Sequence, residues 1–148
     1  MIIFTVMPAM LDNEVFLDSA YVIALAYSTD AHHRQAAEFA GVVSLRKTIL
    51  VTTRAIILEI GNALAKAQVR AAAIKLIGEF QSSQFVRVVP LTEELAGRGW
   101  TLFCQRHDKD WSLTDCISFV VMQERRIRQA LTSDGHFEQA GFTALLRD

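Results

Sequence analysis

The sequence predicts a single α/β domain, a mainly parallel central sheet flanked by helices on both faces, and three observations carry that reading. Short runs rich in β-branched and apolar residues alternate with longer segments of helical character. With 148 residues, 51% of them hydrophobic, the chain can close one substantial core but is short for two. Four carboxylates, Asp18, Glu59, Asp115 and Asp134, stand alone in apolar or uncharged stretches, and two of them directly follow expected strands. Parallel α/β sheets place their working sites just beyond the carboxyl ends of their strands.

Each element has its own signal. The opening MIIFTVMPAML lacks a basic n-region and a suitably placed small-residue cleavage site, so residues 1–13 read as an N-terminal extension without an assigned role, followed by the domain at 14–148. Residues 15–17 form a short buried strand and 20–27 an apolar helix, which puts Asp18 and Ser19 at the junction. Asp30 caps a helix over 31–45, and the β-branched run 48–52 is the second strand. Helices follow over about 54–66 and 69–81, then a third strand over 85–90. Thr92, with Glu93 and Glu94 behind it, starts a helix running to about His107. A charged loop spans 108–111, Ser112 opens the next helix, and 129–132 and 142–145 are the last strands.

Composition excludes several function classes. The longest uncharged stretches fall short of the roughly 18 to 20 apolar residues that cross a bilayer, so no membrane role is expected. Cys104 and Cys116 lie outside any CxxC pattern in apolar helical settings, which fits reduced thiols and a cytoplasmic location. A net charge of −1 gives no global attraction to nucleic acid. Arg125, Arg126 and Arg128 form a local basic cluster able to meet phosphate, although for any one of them a solvated helix end favoured by the helix dipole is the readier explanation.

The four acids carry the chemistry. An ionised carboxylate beside a core has a large desolvation cost unless a cation accompanies it, and none of the four has a base close by in sequence. Each also has a local reading. Asp18 can cap the helix after it, Asp115 completes S-x-x-D with Ser112 before an apolar run, and Asp134-Gly135 can be a turn. Glu59 is harder to explain locally, since Ile56, Ile57, Leu58, Ile60, Ala63 and Leu64 surround it on its helix. Asn62, three residues on, shares its face and can donate to it. Carboxylates gathered at one place raise one another's pKa, and a dication reverses that effect. An all-oxygen set selects Mg²⁺ or Mn²⁺. The histidines are expected in surface or packing roles: His32 and His33 are adjacent rather than at ligand spacing, and His107 and His136 lack a partner motif. Asp110, inside Asp108-Lys109-Asp110, reads as part of a loop ion pair.

Four blocks in order resemble the PIN domain family, particularly its VapC-type ribonuclease toxins, from about Val15 onward. VFLDSAYVIALAY places the family's first acid at Asp18, followed by Ser19. LEIGNAL places an acid and an asparagine at Glu59 and Asn62. DKDWSLTDCISFVVM places the third acid at Asp115, and LTSDGHFEQAGF places a hydroxyl and an acid at Thr132 and Asp134. The departures are the extension before Glu14 and Gly135, which stands where a basic or polar residue is often found. The resemblance implies a Mg²⁺- or Mn²⁺-dependent endonuclease acting on single-stranded or structured RNA. It further implies the toxin half of a type II toxin–antitoxin pair, a small antitoxin as partner, and a homodimer. Asp18, Glu59, Asp115 and Asp134 would be ligands, with Ser19, Asn62 and Thr132 orienting them and Arg54 and the Arg125, Arg126 and Arg128 cluster guiding the RNA backbone. The alternative is a catalytically silent PIN-like RNA-binding or protein-interaction module, for which clustered negative charge near phosphate would be a liability. A phosphatase with an Asp-x-Asp nucleophile is excluded, because Asp18 is followed by Ser19 and Ala20.

Overall fold

The computed structural model describes residues 11–147, so the first ten residues of the expected extension lie outside the described residues. Five strands, β1 (Glu14–Leu17), β2 (Ile49–Thr53), β3 (Val86–Val89), β4 (Gln129–Leu131) and β5 (Thr143–Ala144), form one sheet in the order β3-β2-β1-β4-β5, and every pairing is parallel. The central strands β1, β2 and β4 are short buried runs, each followed by a polar or helix-starting residue, whereas the edge strand β3 is only half-buried. In β1, Val15, Phe16 and Leu17 are fully buried, as expected for a central strand covered on both faces.

The helices are α1 (Ser19–Ala26), α2 (His33–Arg46), α3 (Arg54–Ala63), α4 (Ala67–Ser82), α5 (Glu93–Gln105), α6 (Leu113–Arg125) and the short α7 (Gly135–Gln139). The chain passes from β1 outward to β2 and β3, then returns across the sheet to β4 and β5. Parallel crossovers are right-handed, so this reversal puts α1–α4 on one face and α5 and α6 on the other. The packing agrees, with α1 against α2, α3 and α4, and α5 against α6. The expected sheet with helices on both faces is therefore the observed architecture.

Several boundaries differ for local reasons. The helix expected to start at residue 31 begins at His33, because the Asp30 carboxylate accepts the His32 N–H at 2.8 Å and holds a turn there. Helix α3 ends at Ala63 rather than near residue 66, and the freed carbonyl of Ala65 is taken by the Arg70 guanidinium at 3.0 Å. Asp134-Gly135 is not a bare turn. The Asp134 carboxylate accepts the His136 N–H at 2.9 Å and caps α7, which the sequence reading lacked. The loop ion pair at 108–111 is Arg106 with Asp108 at 3.0 Å, and Asp110 has no ion pair among the described residues.

Residues 11–13 are tied to the sheet. Leu11 is buried, Asp12 N–H donates to Gln129 Oε1 at 2.8 Å, and Ile49 N–H donates to the Asn13 carbonyl at 3.0 Å. An aromatic row built from Phe16, Phe137, Phe119 and Trp111 clamps α7 and the start of α6 onto β1. Phe119 meets Phe137 and Trp111 edge-on, each at 5.0 Å between ring centres, a favoured quadrupolar geometry.

Candidate active site

The strand order reverses between β1 and β4, and the crevice above that point is where the acids meet. Asp18 follows β1 and Thr132 follows β4, side by side across the switch. The buried Thr132 hydroxyl donates to Asp18 Oδ2 at 2.6 Å, and its oxygen accepts the Asp134 N–H at 3.0 Å. One side chain thus ties the first acid to the fourth. The next strand contributes as well, since Thr52 donates its hydroxyl to the Leu17 carbonyl at 2.9 Å and fixes the backbone entering Asp18.

Glu59 reaches the crevice from α3, whose start is capped by Thr53 directly after β2. Ser19 Oγ donates to Glu59 Oε1, linking the second acid to the residue after the first. That hydroxyl, rather than Asn62, is Glu59's partner. Asn62 is exposed, and no hydrogen bond among the described residues joins it to Glu59. The expected apolar surround of Glu59 is also one-sided, because Leu58 is 57% exposed while Ile56, Ile57 and Ile60 are buried.

Asp115 sits in the first turn of α6 and does have the capping-box role its spacing implies: its N–H donates to Ser112 Oγ at 3.0 Å and its Oδ2 accepts the Ser112 N–H at 3.1 Å. It also faces the site. His136 Nδ1 lies 3.0 Å from Asp115 Oδ2 and 3.4 Å from Asp134 Oδ1. The surface or packing role expected of His136 is therefore corrected. Its position follows from Asp134, which caps α7 and so brings the second residue onward back over its own carboxylate. An acid two residues before a histidine at a helix start was the signal available in the sequence.

Electrostatics agree with the convergence. Asp18 is 4% exposed, and burial pushes its carboxyl up from 3.8 to about 7. The Thr132 hydrogen bond opposes the rise, Glu59 and Asp115 add to it, and a backbone hydrogen bond at Ser19 opposes it. Among the described residues no lysine or arginine pairs with any of the four acids; His136 is the only basic group paired with Asp115 and Asp134. Carboxylates without a cation, backed by hydroxyl donors, are a donor set that fits a hard dication.

The arginines divide. Arg54 begins α3 at the acid edge of the sheet and donates to Gln81 Oε1 at 2.7 Å. The Arg125, Arg126 and Arg128 cluster is not brought to the acids. Arg125 pairs with Glu14 and Arg128 with Asp12, each at 3.0 Å, at the amino end of β1. That is the opposite edge of the sheet from Asp18, about 13 Å away along the strand at 3.3 Å per residue. Arg126 takes the left-handed conformation that ends α6. Another cation, Arg147, stands over Gly135, with its guanidinium carbon 3.3 Å from where a Cβ would lie, and donates to the Ser133 carbonyl and to Glu138.

A parallel sheet with acids from the β1–α1 junction, α3, α6 and the β4–α7 turn around its switch point defines a carboxylate-lined α/β site. The chain belongs to the PIN domain family, whose model matches residues 15–143. It is 29% identical over 133 residues to the 23S rRNA-specific endonuclease VapC20 of Mycobacterium tuberculosis, as found in strains CDC 1551 / Oshkosh and ATCC 25618 / H37Rv; the match covers 86% of this chain and 95% of that protein. A crystal structure of M. tuberculosis VapC20, described as a Sarcin-Ricin loop cleaving toxin, superposes with a TM-score of 0.76 at 26% identity, over 86% of this chain and 95% of that one.

Proposed function

We propose that this chain is a Mg²⁺- or Mn²⁺-dependent endoribonuclease and the toxin of a type II toxin–antitoxin pair. The observation that carries the reading is the convergence of Asp18, Glu59, Asp115 and Asp134 at one crevice with, among the described residues, no lysine or arginine paired to them. The VapC20 relatives support RNA, and ribosomal RNA in particular, as the substrate class. Asp18, Glu59 and Asp115 would hold the ion and Asp134 would complete the set. Ser19 and Thr132 aim the carboxylates through the hydroxyl bonds they donate. When bound, the dication supplies a water made nucleophilic near neutral pH and neutralises charge at phosphorus. Arg54 and Arg147 are the guanidiniums near the acid edge able to take the RNA backbone, and Asn62 offers a polar group on the exposed flank of α3.

The rest of the reading concerns partners and setting. Residues 14–148 form the nuclease unit, with 1–13 as an extension. An apolar groove of about 380 Å³ between α1, α2 and α4, lined by Leu25, Val43, Leu76 and Phe80, supports a protein partner such as the antitoxin. Exposed Trp100 and Phe103, stacked on α5, support pairing with a second copy. No helix of the described residues is long and apolar enough to cross a membrane, and the free Cys104 and Cys116 suit a reducing cytoplasm.

The test is cleavage of a short single-stranded RNA, of 23S rRNA and of a sarcin–ricin hairpin, with Mg²⁺ or Mn²⁺ and with chelator. Cleavage is expected with metal only, and Asp18→Asn should lower it by about 100-fold or more while leaving the fold intact. A protein that binds RNA without metal-dependent cleavage would instead be the silent module.

A further inference from the structure

Four carboxylates are not the whole donor set: His136 places an aromatic nitrogen among them. We infer that His136 Nδ1 is a ligand of the bound ion and tilts the Asp115 side of the site toward first-row transition ions such as Mn²⁺ over Mg²⁺. This rests on the metal-dependent reading above and deepens it, because it assigns a residue and an ion class.

The ring is held from both sides. Its backbone N–H donates to Asp134 Oδ1 at 2.9 Å, and the next residue, Phe137, is fully buried against Phe16 and Phe119. The histidine is 30% exposed, and its Nδ1 points inward at the acids. One ligand atom from each of Asp115, Asp134 and His136 lies within 4.8 Å of the others, with Nδ1 at 3.0 Å from Asp115 Oδ2 and 3.4 Å from Asp134 Oδ1. Bonds of about 2.1 Å in an octahedron give neighbouring ligands about 3.0 Å apart and opposite ones about 4.2 Å apart. The two separations observed around Nδ1 match neighbouring positions of such an octahedron.

The acids consequently fall into two kinds of surroundings. Asp18 and Glu59 are backed by the hydroxyls of Thr132 and Ser19, an oxygen environment suited to Mg²⁺. Asp115 and Asp134 share an imidazole, and imidazole nitrogen favours transition ions over Mg²⁺, which keeps to oxygen. The competing account is that the ring only donates a hydrogen bond to Asp115.

Two measurements separate these accounts. In the Mn²⁺-loaded full chain, pulsed electron–nuclear double resonance should show ¹⁴N coupling from a directly bound imidazole. This needs no variant, so it decides the matter even if substitutions at α7 disturb folding. Calorimetry with each metal alone should show His136→Gln weakening Mn²⁺ binding by about 10- to 100-fold while changing Mg²⁺ binding less than about threefold. Absent nitrogen coupling, or equal losses for both ions, would overturn the assignment. A protein that shows the coupling yet cuts no RNA would sink the nuclease reading and leave the ligand standing. One that cuts RNA with Mn²⁺ but shows no coupling would do the reverse.

Discussion

Replacing Asp18 by asparagine should stabilise the metal-free protein above neutral pH, even as it removes activity. Burial, Glu59 and Asp115 hold the carboxyl at about 7 in the folded chain against an ordinary 3.8. At about 1.4 kcal/mol per pKa unit, ionising Asp18 costs the fold about 4 kcal/mol once the pH is above 7. The sign follows from proton count: between pH 4 and 7 the folded state holds more protons than the unfolded one, so stability falls as pH rises through that window. Asparagine keeps the shape and can still accept from Thr132, but its own buried amide recovers only part of the cost. A gain of about 1–3 kcal/mol, or about 2–12 °C in Tm for a chain of this size, is expected in chelator at pH 8. The assay is thermal unfolding by circular dichroism from pH 4 to 8.5. The gain should shrink as pH falls below 7, cross zero between about pH 4.5 and 6 and become a loss of about 1–3 kcal/mol near pH 4, and added Mg²⁺ should raise wild type more than the variant. A variant less stable than wild type at pH 8 in chelator, or a difference independent of pH, would refute the reasoning.

Two further outcomes follow from neighbouring contacts. Thr132→Val should act in the opposite direction, because it strips the donor from Asp18 and the acceptor from the Asp134 N–H in a buried place. A loss of about 1–3 kcal/mol is expected by chemical denaturation, together with a drop of about 10- to 100-fold in RNA cleavage at fixed Mn²⁺; unchanged stability would show that the hydroxyl is dispensable. Gly99→Ala should loosen the α5–α6 contact, since a Cβ there would lie 2.5 Å from Ile117 Cγ1 and 3.3 Å from Ile117 Cα. Overpacking of about 1–3 kcal/mol outweighs a helix-propensity gain of up to about 1 kcal/mol, so Tm should fall, and cleavage with it because α6 carries Asp115; a higher Tm would show that the helices part freely.

What the sequence determined by itself is periodic and local. Buried runs such as VFL and ILVTT, each followed by a helical segment, leave little choice but parallel strands with helical crossovers, and residues just after strands must then lie at one edge. Asp18, Thr132 and Asp134 were legible for that reason, and the Ser112–Asp115 capping box could be read from spacing alone. Partner choice was different. That Glu59 meets Ser19 rather than Asn62 depends on how α3 is turned against α1, a packing matter with no trace in a helical repeat. The Arg125, Arg126 and Arg128 cluster is adjacent to the acids only in chain order: α6 carries Asp115 at its first turn and Arg125 at its last, so one helix length separates them. His136 joined the acids through a five-residue helix too short to announce itself by periodicity, capped by Asp134 and pinned by Phe137. Tertiary structure decided these contacts because side-chain neighbours across elements depend on crossing geometry, whereas strand, helix and cap depend on residues a few positions apart.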